Sequence, residues 1–310
     1  MTGMHKNNQD HLNSKPVGES ISPAAMSPAS TCLRQQALDV LCTSPPHTKL
    51  QATQALFELA QKENPGLHWN NLARLQAHTT LTLPGRPERP VLIPPMQVPQ
   101  RSPFVAQGLA ALVHAVCHIE FNAINLALDA VWRYHDMPID FYRDWLRVAA
   151  EEATHFKMLQ ELLQQLGYEY GDFPAHDGLW EMCVKTQHDV TARMALVPRT
   201  LEARGLDATP LIQARLRKVN TPDALRAIAI LDTILHDEIG HVAVGNHWYR
   251  WLCHQQGLEP VEHYRKLVRL YNAPRLRPPY NQAARRLAGF EDQELEELAQ
   301  NTPKESPSFL

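Results

Sequence analysis

The sequence predicts an all-α fold organised as a four-helix bundle, on three observations. From Phe104 onward, four long segments carry apolar residues at helical spacing. No segment alternates apolar and polar residues as a half-buried strand would. The 24 prolines gather outside the long segments, and glycines stand at several of their ends. The four segments run roughly 27 to 34 residues, well beyond the usual helix of about 11–12, and suit antiparallel packing round a buried interior.

Each element has its own signals. Residues 1–31 are polar, rich in Ser, Asn and Pro, and read as a disordered terminus. Short amphipathic helices are expected over Leu33–Leu41 and Thr48–Gln61, separated by Pro45 and Pro46. Between Pro84 and Pro103 the chain is too rich in proline for a helix and reads as an extended strap or linker. The first long helix covers Phe104 to about Tyr134, with Ser102 as cap and Pro103 at its first position. The second covers about Asp140–Leu166 and stops at Gly167. The third covers about Asp177–Arg204 and stops at Gly205, and the fourth runs from Pro222 to about Gln256, before Gly257. A short acidic helix near Asp292–Gln300 follows. The organisation expected is a Pro-rich helical extension over 32–102, a bundle over 103–257 and a C-terminal tail over 258–310.

Composition narrows the function. A net charge of −3 without a basic block gives no footprint for nucleic acid. The first thirty residues lack the apolar core of a secretory signal, and no run of 18 apolar residues suggests a membrane span. Five scattered cysteines form no CxxC pair and read as reduced thiols, which points to a cytoplasmic protein.

The chemistry lies in the long helices. Two of the 16 histidines have Glu three residues before them: Glu152 before His155, and Glu238 before His241. Residues i and i+3 share a helix face, so each pair offers a carboxylate and an imidazole in one direction. Each pair sits mid-helix and is preceded by a long helix with a single Glu in apolar surroundings, Glu120 and Glu202. One unit is thus repeated: a helix with Glu, then a helix with Glu-x-x-His. This is the di-metal carboxylate pattern. Four carboxylates balance two divalent ions, and carboxylate with imidazole suits iron or manganese. Without that counter-charge the four would repel one another and bear a large desolvation cost. The metal ligands expected are therefore Glu120, Glu152, His155, Glu202, Glu238 and His241.

Nearby groups receive blander readings. His118 and Glu151 point away from the ligand face and belong to a supporting layer or the surface. Asp129, Asp232 and Asp237 could each orient a ligand histidine, with a surface role the first reading for each, and His176, His188 and His247 are read as ordinary polar residues. Cys117 reads as core. Pro198, one turn before Glu202, is expected to kink the third helix beside a ligand. The small Gly245 is expected to leave room near the metals.

The stretches His118-Ile119-Glu120, Asp144 to Ala153 with His155, Tyr170 to Trp180, Arg193 to Arg199, Leu201 to Asp207, and Asp237-Glu238 with Gly240 to Ala243 resemble a bacterial ferritin-like family known as domain of unknown function 455. The resemblance runs from about Pro99 to Tyr280. It implies a ferritin-like fold with the six-residue site and supplies no reaction. The superfamily spans oxygenases, desaturases, tRNA hydroxylases, rubrerythrins and bacterioferritins, and fold does not choose among them.

The leading expectation is an oxygen-activating oxidoreductase holding two transition-metal ions. Iron is favoured, with manganese or a mixed Mn/Fe pair as alternatives. Its partners would be dioxygen or peroxide, a small-molecule substrate and an electron donor. Iron or peroxide handling, a tRNA-hydroxylase-like activity and a metal-free helical scaffold are the alternatives.

Overall fold

The computed structural model describes residues 31–62, 66–77 and 82–300, so the expected disorder of the N-terminus lies outside the described residues, apart from Thr31. Among them the regular structure is helical, with no strand and only two isolated bridges, Cys32 with His68 and Leu92 with Ala175.

Two long helices, α3 (Ala106–Arg133) and α4 (Ile139–Gln165), pack along each other. In these designations α1 is Leu33–Leu41, α2 Pro46–Ala60, α5 Gly178–Lys185, α6 Val190–Leu196, α7 Ala203–Val219 and α8 Pro222–Gln255. Helix α7 packs on α8, and α4 faces α8 across the centre. Three short helices follow: α9 (Pro260–Leu270), α10 (Gln282–Leu287) and α11 (Asp292–Gln300).

Helix α3 is buried on nearly all sides from Phe121 to Trp132, because α1 covers the side that α4 leaves open. By length and composition alone α3 could cross a membrane, but 72% of its most apolar window is buried within the protein. It starts at Ala106 rather than at Pro103, and Ser102 does not cap it. The preceding turn folds back onto the helix, where a Cβ on Gly108 would lie 1.8 Å from the Ser102 carbonyl oxygen. Helix α4 ends as its sequence signals: Gly167 takes a φ of 82°, and the Tyr168 amide donates to the Leu163 carbonyl. Helix α8 opens with Thr221 accepting from the Ala224 amide.

The third long helix departs from expectation. It is interrupted at residues 186–189, where Asp189 accepts from the Ala192 amide and starts α6 afresh. It then widens into a π-turn over Val197–Glu202 and continues through Gly205 and Pro210 to Val219, where left-handed Asn220 ends it. Gly205 is no stop: it does not take the positive φ of a helix-ending glycine, and the helix runs on through it. Pro210 is tolerated because the carbonyl it leaves unbonded, that of Leu206, accepts instead from the Asn281 side chain at 3.2 Å. Pro198, the expected site of a kink, lies at the start of this π-turn.

The extension packs onto the long helices, α1 against α3 and α2 against α4. Two buried cations fasten it. Arg34 donates to the Val131 and Trp132 carbonyls at the end of α3 and to those of Asn70 and Ala73. Lys49 donates to the Leu41 and Gly85 carbonyls and to the Asn125 side chain. Burial lowers the Lys49 pKa to about 7. The proline-rich segment is a strap: Ile93 and Ala175 are joined by backbone hydrogen bonding, and Arg86 pairs with Asp177 at 2.6 Å.

Candidate metal centre

Where the long helices face one another, the core becomes acidic. Glu120 sits mid-way along α3, Glu152 and His155 mid-way along α4, Glu238 and His241 mid-way along α8, and Glu202 closes the π-turn. All six residues are buried, none more than 8% exposed. Glu120, Glu152, His155 and Glu238 each bring one ligand atom within 4.8 Å of the others. His241 joins through Glu152, with its Nδ1 2.9 Å from Glu152 Oε1 and 3.8 Å from Glu238 Oε1. Glu202 makes no hydrogen bond or ion pair among the described residues, yet the charges of Glu238 and Glu152 act on it.

The two imidazoles are held reciprocally. His155 turns Nε2 to Asp237 of α8 at 3.0 Å, while His241 turns Nε2 to Glu151 of α4 at 2.8 Å. Each therefore presents Nδ1 to the carboxylates: His155 Nδ1 lies 3.2 Å from Glu152 and 3.6 Å from Glu120. A second-nitrogen carboxylate of this kind fixes ring orientation and makes the inner nitrogen a better ligand.

The electrostatics describe a cluster short of positive charge. Burial, reinforced by the charge of Glu152, raises the Glu120 pKa well above the ordinary carboxylate range. Burial also raises Glu202, with Glu238 adding to it, and raises Glu238, with Glu152 adding to it. Burial works against Glu152 too, but the His241 charge and hydrogen bonds from both histidines outweigh it and hold this carboxyl well below its usual range. Against their own burial, the carboxylates raise His155 to about 11 and His241 well above its usual value.

Among the described residues, Glu152 Oε1 and His241 Nδ1 of this cluster face each other as an ion pair at 2.9 Å, while Glu120 Oε2, Glu202 Oε2 and Glu238 Oε2 are buried without a hydrogen bond. Such atoms are costly singly, so their concentration marks a place built for something that bonds them together. Hard carboxylate oxygens with two imidazoles fit transition-metal ions. The residues present can hold a metal.

Three expectations need correction. Asp129 is no surface carboxylate but is fully buried. Asp237 is no bland surface carboxylate, because it orients His155. Gly245 leaves no space beside the site: the Pro198 ring fills it, and a Cβ there would lie 2.6 Å from Pro198 Cβ. Glu151 belongs to the supporting layer. The signal that could have found this pair is an acidic residue directly before each Glu-x-x-His. Asp129 instead pairs with Arg193 and Arg133, Asp232 accepts from Gln213, and Cys117 is buried core. His118 is fixed by the Tyr170 hydroxyl and the His176 carbonyl.

Among known proteins, the family described as "Protein of unknown function (DUF455)" matches residues 42–296. A curated Haemophilus influenzae relative, described as "Uncharacterized protein", is 50% identical over 217 residues, covering 68% of this chain and 74% of its own. No solved structure matches the chain. The chain belongs to the DUF455 family.

Proposed function

We propose that this member of the DUF455 family is a ferritin-like di-metal carboxylate protein acting as an oxygen-activating oxidoreductase. The observation that carries the reading is the buried convergence of four glutamates and two histidines, with three of their carboxylate oxygens, Glu120 Oε2, Glu202 Oε2 and Glu238 Oε2, buried without a hydrogen bond. Glu120, Glu152, His155, Glu202, Glu238 and His241 would hold two transition-metal ions, with iron first and manganese or a mixed pair as alternatives. A bound iron pair would supply the electrons for reducing dioxygen or peroxide and so oxidising a small-molecule substrate.

The protein's own part follows from the geometry. Four carboxylates neutralise two divalent charges, leaving both imidazoles neutral. Asp237 and Glu151, partly exposed on the far side of each ring, hold the Nε2 protons and so keep both Nδ1 atoms free to bind. Val113, Cys117, Ala149, Phe156 and Leu231, one or two turns from the ligand glutamates along their helices, contribute a dry lining. The extension and tail belong to the same proposal, as covers for the bundle over 103–257.

The test is elemental analysis of the purified chain beside the double variant Glu152→Ala/Glu238→Ala. About two iron or manganese ions per chain, lost in the variant, is the expected outcome. Many more irons per chain would favour storage. No bound transition metal after anaerobic reconstitution with ferrous iron would leave a helical scaffold.

A further inference from the structure

We infer that the C-terminal tail sets the position of Glu202 through a clamp on Arg199, which makes Arg199, Tyr264 and Glu294 positioning residues of the metal centre. The inference rests on the metal reading above. Its starting point is an asymmetry among the four glutamates. Glu120, Glu152 and Glu238 each stand within ion-pair distance of a histidine in the cluster. Glu202 has no such neighbour, and its Oε2 is buried without a hydrogen bond. Among the described residues no side chain hydrogen-bonds or ion-pairs with this carboxylate, so its place is dictated by the backbone that carries it, the π-turn Val197–Glu202.

That turn needs external support. A π-turn is a rare conformation, and Pro198 contributes no amide hydrogen to it. On one side Gly245 of α8 lets the Pro198 ring approach closely. On the other side the tail provides three contacts. The Arg199 guanidinium lies 4.5 Å from the ring centre of Tyr264 and 4.9 Å from that of Phe290, with Tyr249 of α8 at 5.1 Å. Its Nη2 pairs with Glu294 of α11. The Thr200 hydroxyl donates to the Ala195 carbonyl at 2.7 Å and lies 2.9 Å from the Tyr264 hydroxyl.

Glu294 is the hub of this arrangement. It also accepts from Arg250 at 2.9 Å and from the Glu291 amide at 2.9 Å. Arg199 is 3% exposed, so removing the Glu294 charge leaves a buried cation without its counter-ion, only three residues from a metal ligand. The cation would have to move toward solvent, and the π-turn would move with it.

The experiment is anaerobic titration of the full chain with cobalt(II), read by its visible d–d absorption, in wild type, Glu294→Gln and Glu297→Gln. Glu297, on the same helix as Glu294, pairs with Arg265 of α9 and has no hydrogen bond or ion pair to the π-turn among the described residues, so it reports general loosening of the tail. Wild type and Glu297→Gln are expected to take up two equivalents alike. Glu294→Gln should bind one as before and the other ~10–100-fold more weakly, with an altered spectrum. Tyr264→Phe removes only the hydroxyl and should shift the spectrum in the same direction, which keeps the test available if Glu294→Gln does not fold. Wild-type affinities and spectra in Glu294→Gln, or equal losses in Glu297→Gln, would overturn the clamp while leaving the metal centre standing. A wild type that takes up no metal would overturn both.

Discussion

Loading the centre with metal should expel protons from it. Burial and mutual repulsion favour protonation of Glu120, Glu202 and Glu238. The surrounding carboxylates keep His155 protonated, with a pKa of about 11, and raise His241 well above its ordinary value. Glu152 is already ionised, its pKa held well below the usual range. Metal ligation requires carboxylates and neutral imidazoles, so loading two divalent ions displaces protons from the cluster. The sign follows: raised values mean protons held in the metal-free chain, so affinity grows as pH rises and falls on acidification. Each displaced proton changes the apparent affinity about tenfold per pH unit, or ~1.4 kcal/mol. The assay adds ferrous iron anaerobically to the chelator-treated chain in a weak buffer with a pH indicator, and repeats a chelator competition at several pH values. Release of fewer than about two protons per pair, or an affinity indifferent to pH between about 6 and 8, would refute this account of the cluster.

Other expectations can be checked separately. Asp237→Asn removes the carboxylate that orients His155 and should weaken metal binding ~10–100-fold in a chelator competition, without a comparable loss of fold. Lys49→Met leaves three buried acceptors without their donor and should cost about 2–4 kcal/mol in urea denaturation. Because burial lowers Lys49 to about 7 from 10.5, the folded chain holds fewer protons than the unfolded one between those values; wild-type stability relative to Lys49→Met should therefore rise with pH across that window. Gly245→Ala drives a Cβ into the Pro198 ring and should destabilise the protein by about 1–3 kcal/mol. Gly205→Ala meets open space inside a helix and should stabilise it by about 0.5–1 kcal/mol, seen as an upward shift of the urea midpoint.

The long helices were legible because periodicity and end signals are local. Gly167 and Gly257 end α4 and α8, and both take positive φ. The third helix was misread because the same signals lose their force in tertiary context. Gly205 and Pro210 look like stops, but a helix passes through them once Asn281 satisfies the Leu206 carbonyl from 75 residues away. The short helices α9 and α10 were not anticipated, although α9 at 11 residues is longer than the expected α1 and α11.

By itself the sequence determined the all-α fold and the candidate ligand types, since helical spacing puts Glu and His of each Glu-x-x-His on one face. It also implied the charge problem, because four glutamates in apolar surroundings call for compensation. Only the tertiary structure decided which carboxylate serves which histidine. Asp237 and Glu151 cross between α8 and α4, and such a pairing depends on how two helices distant in sequence are set against each other. The π-turn beneath Glu202 was decided there as well, by the Pro198 ring against Gly245 and by the aromatic rings around Arg199. Those contacts join segments far apart in the chain, and no local propensity encodes them.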